Sequence, residues 1–254
     1  MCKFDLSKPY CFYFNEISKI PHGSFDEEKI ADYIYEFGHK SGLQTIRDEF
    51  NNIIIYKDAS KGYENSAPLL LQAHLDMVCE KNGDSDHDFK KDPLDLYVED
   101  GWLKARGTTL GADDGAGVAY ILSILADNTL KHTKLECVFT VQEEVGLYGA
   151  LNLNTSLIKS RRMISLDGNG EVTTAITSAG GCVVTQSLDL KFIPNDKPCY
   201  KLFITGLSGG HSGNDIHLEK GNANKLAFRI LEELGGDINL ISVHGGLKDN
   251  AIPR

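Results

Sequence analysis

The chain holds 254 residues, 41% of them hydrophobic, enough for one large core or two unequal domains. A formal net charge of -10 excludes nucleic acid as a partner, because a phosphate backbone is repelled rather than neutralised, and leaves a small substrate as the expectation. Cys2, Cys11, Cys79, Cys137, Cys182 and Cys199 show no C-x-x-C spacing, which excludes a disulfide frame or a thiolate zinc knuckle and reads as reduced thiols.

In chain order, residues 1–14 are broken by Asp5, Lys8 and Pro9 and read neither as a signal peptide nor as a membrane span, so cytoplasmic residence without a membrane partner is expected. Ser24 followed by Glu27 has the form of a capping box, predicting a helix with Ile30, Ile34 and Phe37 on its apolar face and Gly42 beyond its end. Short apolar runs at 53–56, 69–71, 138–141 and 163–166 predict buried strands. Residues 82–95 read as a charged surface loop, and 97–104 as a hairpin turning at Asp100-Gly101. Residues 117–125 continue a glycine-rich loop as an apolar helix, and strand, loop, helix, strand is an α/β signature. Beyond Ala179-Gly180-Gly181 the pattern changes to strands at 183–192 and 200–206, a helix at 222–234 and a strand at 238–244, an α+β texture. The expected division is therefore 1–181 and 182–254. With no closing element before Ile252-Pro253-Arg254, the expectation is a chain truncated within its second domain.

Four clusters fall at or just past the carboxyl ends of predicted strands, where open α/β sheets gather ligands: His74-Leu75-Asp76, Asp113-Asp114, Glu143-Glu144 and Asp167. Any one of them alone is more often a solvated loop residue or a helix cap, and their agreement carries the reading. His74 and Asp76 share a face in extended chain, so the carboxylate can orient the imidazole. The glycine loop around Asp113-Asp114 has the outline of a phosphate cradle, yet two carboxylates and no Lys repel phosphate and attract a cation. Adjacent Glu143 and Glu144 repel each other unless a positive charge lies between them, and a divalent metal supplies it. In extended chain one of the pair would bind metal while the other faces a reacting water. Histidine and carboxylates without cysteine suit zinc, with manganese or cobalt as substitutes. A nucleophilic Cys79 near His74 is disfavoured, because nothing around it marks an oxyanion site.

Longer motifs carry a resemblance across essentially the whole chain. Ile20-Pro21-His22, Leu71-Gln72-Ala73-His74-Leu75-Asp76-Met77-Val78, Lys104-Ala105-Arg106-Gly107-Thr108-Thr109-Leu110-Gly111-Ala112-Asp113, Gly209-Gly210-His211-Ser212-Gly213 and Gly221-Asn222-Ala223-Asn224-Lys225 resemble the aminoacyl-histidine dipeptidases, also called Xaa-His dipeptidases or peptidase D. These belong to the wider zinc superfamily of aminoacylases, dipeptidases and glutamate-releasing carboxypeptidases. The resemblance implies a zinc-peptidase catalytic domain with a mixed sheet flanked by helices, followed by the start of an α+β lid domain.

It further implies that His74, Asp113 and Asp167 hold one zinc, that Asp113 bridges to a second zinc also bound by Glu144, and that Asp76 steadies His74. Glu143 is then the general base for a metal-bridging water, and a cis peptide follows Asp113. His211 is implied to stabilise the substrate oxyanion and Asn250 to contact substrate. His22, His39, His87, His132, His217 and His244 receive no role. The family's remaining ligand to the second zinc comes from near its carboxyl terminus, so this chain alone is expected to bind at most one zinc tightly and to turn over little. Asp114 and the surroundings of Asp167 depart from the family pattern in ways that bear on substrate preference. The implied substrates are dipeptides with a free carboxyl terminus, Xaa-His among them, and pairing through lid edges into a homodimer is implied. The alternatives are a broader dipeptidase or aminoacylase, and an inactive truncated fragment that binds metal or a partner.

Overall fold

The computed structural model describes residues 4–168, 172–178, 180, 184–236, 238–246, 248 and 250–254. It divides into two compact units, Met1–Ile176 and Thr177–Arg254.

The first unit runs α1 (Pro9–Ile17), α2 (Glu28–Lys40), β1 (Gln44–Arg47), β2 (Ile53–Lys57), β3 (Leu69–His74), β4 (Leu96–Glu99), β5 (Trp102–Ala105), α3 (Ala112–Ala126), β6 (Leu135–Thr140), α4 (Tyr148–Asn152) and β7 (Met163–Ser165). A mixed sheet in the order β1-β2-β6-β3-β7 is its centre. The β1-β2 and β2-β6 pairs are antiparallel, whereas β6, β3 and β7 run parallel. Parallel neighbours end at the same sheet edge, and that edge carries the site.

Every residue of β6 is buried, as befits a central strand covered on both faces. On one face Ile53, Ile55, Leu71, Ala73, Cys137 and Phe139 pack with Phe14 and Ile17 of α1, Ile30 and Ile34 of α2, and Ile121 and Leu122 of α3. On the other, Ile54, Leu70 and Val138 meet Leu153, Leu157 and Ile158, the turn that follows α4. Glu136 tolerates burial because the backbone N–H groups of Lys159 and Ser160 donate to it at 2.9–3.1 Å. Lys57 likewise aims its ammonium at the end of α3, donating to the carbonyls of Ile124 and Leu125 at 3.0 Å and of Asp127 at 2.6 Å. A cation there satisfies orphan carbonyls and opposes the helix dipole. The β4-β5 hairpin turns at Asp100 and Gly101, both at positive φ, which matches the twist of its strands.

Ser24 and Glu27 do not form the expected capping box. Helix α2 starts at Glu28 with no side-chain cap, because both side chains are drawn into tertiary contacts described below.

In the second unit, α5 (Ala223–Leu234) is capped by Asn222, whose side-chain oxygen accepts from the Lys225 N–H at 3.1 Å. β8 (Gly210–His211) pairs antiparallel with β9 (Ala251–Ile252). The strands expected at 183–192, 200–206 and 238–244 are not present among the described residues there. Alternating hydropathy marks which face a strand buries, but a ladder needs a neighbour to take its hydrogen bonds. Here Val184, Leu188, Phe192, Tyr200 and Phe203 are exposed. Val183 lies outside the described residues. Among the described residues no helix is long and apolar enough to cross a membrane.

Candidate metal centre

The three parallel strands deliver their carboxyl-terminal residues to one place. His74 ends β3, Glu143 and Glu144 follow β6, and Asp167 follows β7, while Asp113 and Asp114 sit in the first turn of α3. The peptide between Asp113 and Asp114 is cis, as the resemblance implies.

His74 is buried. Its Nδ1 lies 2.9 Å from the main-chain carbonyl of Asp76 and 3.4 Å from that residue's Oδ1. Both are acceptors, so Nδ1 carries the hydrogen and Nε2 is left to face the carboxylates. Nε2 is 3.1 Å from Asp113 Oδ1 and 4.0 Å from both Glu143 Oε2 and Asp167 Oδ2. Burial opposes protonation of the ring, but the carboxylates of Asp113 and Asp76 outweigh it and push its pKa up to about 11.

Two sets of potential ligand atoms converge on this imidazole, each with all atoms within 4.8 Å of one another: His74, Asp113 and Asp167, and His74, Glu143 and Glu144. The carboxylates strain against their own proximity. Burial first, then the charges of Asp113 and Glu143, raise Glu144 to about 7. Burial also raises Glu143 and Asp167, with neighbouring acids adding to it. Asp113 is held low by its hydrogen bond with His74. One imidazole cannot balance so many acids, and a divalent cation would. The donor set of one nitrogen and several carboxylate oxygens fits zinc, manganese or cobalt.

Glu143 and Glu144 do not alternate across an extended strand as expected. The chain leaves β6 through Gln142 at φ 52°, and the Glu143 carbonyl then accepts from the N–H groups of Gly146 and Leu147. This turn sends both carboxylates toward His74.

Asp76 does more than accompany His74. Its Oδ1 accepts from the Glu143 N–H at 2.9 Å, and its Oδ2 accepts from the Glu144 N–H at 3.2 Å and from the Ser24 hydroxyl at 2.8 Å. Burial opposes ionisation of Asp76, but the His74 ring, the Glu143 N–H and the Ser24 hydroxyl hold its pKa down. Asp114, to which the sequence reading assigned no role, is also buried; Oδ2 accepts from the His74 backbone N–H at 3.2 Å and Oδ1 from Gly117 N–H at 3.1 Å. Burial lifts its pKa to about 7. A Cβ on Gly117 would stand 2.3 Å from Asp114 Oδ1, so this helix position requires glycine.

The sequence reading noted Ser24, Glu27 and Asp114, but not in these roles. The first two gave a signal, but it matched a local helix cap; Asp114 carried only its place beside Asp113. Desolvation, with Asp26 and Glu80 nearby, raises the pKa of Cys79 and favours its neutral thiol.

His211 and Asn250 belong to the second unit. The His211 N–H donates to Asp215 Oδ2 at 3.0 Å, and Lys220 pairs with the same oxygen at 3.0 Å. The ring Nδ1 accepts from the N–H groups of Gly213 and Asn214 at 3.0 and 3.1 Å. The neutral ring therefore carries its hydrogen on Nε2. The Asn250 carbonyl accepts from Ser212 N–H at 2.8 Å, beside His211.

Residues 70–221 match the family described as Peptidase family M20/M25/M40. The chain belongs to this family. It is 44% identical over 253 residues to the cytosol non-specific dipeptidase of Escherichia coli (strain K12), which covers 97% of this chain and 52% of that protein. Among solved structures it resembles aminoacylhistidine dipeptidase from Vibrio alginolyticus, at 37% identity and a TM-score of 0.68 over 97% of this chain and 51% of that one. A tripeptidase from Staphylococcus aureus, 20% identical with a TM-score of 0.59 over 100% of this chain and 64% of that one, shares the fold. The chain thus spans about half the length of the E. coli relative. M20 peptidases are typically metal-dependent, and the His74 cluster is this chain's candidate metal-binding group.

Proposed function

We propose that this chain carries the metal site of a zinc metallopeptidase that hydrolyses dipeptides. The observation that supports it most is the convergence of His74, Asp113 and Asp167, whose potential ligand atoms all lie within 4.8 Å of one another. In this reading His74, Asp113 and Asp167 hold one zinc, and Asp113 and Glu144 contribute to a second. Zinc supplies Lewis-acid polarisation of the peptide carbonyl and makes water a nucleophile at neutral pH.

The chain's residues do the rest. Glu143 takes a proton from the attacking water and returns it to the amide nitrogen as the C–N bond breaks. Burial raises its pKa, which favours its taking up the proton. Asp76 keeps His74 in its Nδ1–H tautomer and restrains the Glu143 backbone. His211 offers Nε2–H to the oxyanion, and Asn250 contacts the substrate beside it.

The substrate reading is Xaa-His dipeptides, supported by the name of the Vibrio relative and by the motifs above. A broader dipeptidase is the second reading, supported by the E. coli relative's name, non-specific dipeptidase. The same name supports residence in the cytosol. A homodimer belongs to this proposal through the family resemblance, and sedimentation tests it. Elemental analysis for zinc, with hydrolysis of a panel of Xaa-His and other dipeptides on the same sample, tests the whole. Turnover confined to Xaa-His supports the narrow reading, and equal turnover across the panel the broad one. A purified chain that takes up no divalent metal overturns both.

A further inference from the structure

The segment just before α2 reaches the candidate centre at two points. Ser24 donates to Asp76 Oδ2 at 2.8 Å, and Glu27 Oε1 accepts from the Gln142 N–H at 3.1 Å. With the two N–H groups held by Asp76, three consecutive backbone amides, those of Gln142, Glu143 and Glu144, are gripped by two buried carboxylates. The segment is itself pinned: Gly23 forms a bridge with Met77, and the His22 carbonyl accepts from the Met77 N–H at 3.1 Å. Gln142 is the residue at which the chain takes its left-handed turn out of β6. An N–H anchored there sets the direction in which the next two side chains leave the backbone. Burying the Glu27 carboxylate raises its pKa, a cost that a mere helix start would not require.

We propose that Ser24 and Glu27 are positioning residues, which aim Glu143 and Glu144 at the metal site by fixing the 142–144 backbone, Glu27 directly and Ser24 through Asp76. The inference rests on Glu143 being the general base and Glu144 a ligand.

The test compares amide hydrogen exchange in the zinc-loaded chain and its Glu27→Met, Glu27→Gln and Ser24→Ala variants. Met keeps the volume of Glu27 and loses the acceptor, whereas Gln keeps one oxygen for the Gln142 N–H. Exchange across residues 141–147 is expected to rise about tenfold or more in Glu27→Met, less in Glu27→Gln, and detectably in Ser24→Ala, with residues 135–140 unchanged. In a form of the protein that turns over dipeptides, kcat is expected to fall with KM within about twofold, and Glu27→Gln to recover part of it. Unchanged exchange at 141–147, or acceleration that spreads equally through 135–140, overturns the proposal. If Glu27→Met does not fold, Ser24→Ala decides by the same two outcomes. Glu143→Gln run alongside separates the readings: full turnover in that variant removes the general-base assignment and leaves the exchange result intact.

Discussion

The two units treat their functional groups in opposite ways. In the first, His74, Asp76 and Asp114 are buried at the carboxyl edge of a five-stranded sheet, and bonds between segments 40 and 67 positions apart hold Asp114 to the His74 backbone and Asp76 to Glu143. In the second, His211 is exposed, its ring is held by the N–H groups of Gly213 and Asn214, and its backbone belongs to a ladder of two residues per strand. A metal site must be preorganised against mutual repulsion of its ligands, which packing provides. A group that greets a substrate needs only a defined tautomer and freedom to approach, which a loop provides.

The largest effect that would sharpen this contrast is expected from Glu143→Gln. In a form of the protein that turns over dipeptides, it should retain zinc by elemental analysis while kcat falls by about 100- to 10,000-fold; loss of the metal would make Glu143 a ligand. His211→Ala should also keep zinc, lose about 100-fold in kcat, and leave the melting temperature unchanged, because the residue is exposed. A drop in metal content would break the division of labour between the units.

Protons and metal compete at the centre. As the proposed ligands, His74, its pKa pushed up to about 11, and Glu144, raised to about 7, would each have to give up a proton to the solvent. Metal binding therefore releases protons, and affinity should rise with pH, about tenfold per unit for each proton released, with the Glu144 contribution levelling off above pH 7. Zinc titrations at pH 6, 7 and 8 in two buffers of different ionisation enthalpy measure both quantities; flat affinity would refute the crowding of carboxylates around His74.

Two stability changes are smaller. Gly117→Ala should cost about 1–3 kcal/mol in thermal unfolding, since the methyl group displaces the Asp114 carboxylate that holds the His74 backbone. Asn222→Ala should cost about 1 kcal/mol through the lost cap of α5, and should leave zinc binding in the first unit untouched.

Much of the first unit was legible beforehand. Apolar runs located β2, β3, β6 and β7, and Asp100-Gly101 located the hairpin, because period and turn chemistry are local properties of the chain. Alternation in the second unit misled, since Leu188 or Phe203 can advertise a strand without supplying its neighbour. The same local habit turned Ser24 and Glu27 into a helix cap. Their partners, Asp76 and Gln142, lie 52 and 115 positions further along, and no short window sees that distance.

The sequence by itself determined which chemical groups were candidates to meet: one imidazole and several carboxylates, most of them at or just past the end of a strand, where parallel pairing brings them to one edge. Only the tertiary structure decided how they are held. A carboxylate can serve equally as ligand, helix cap or anchor for an amide, and which of these it becomes depends on the backbone donors that folding sets beside it.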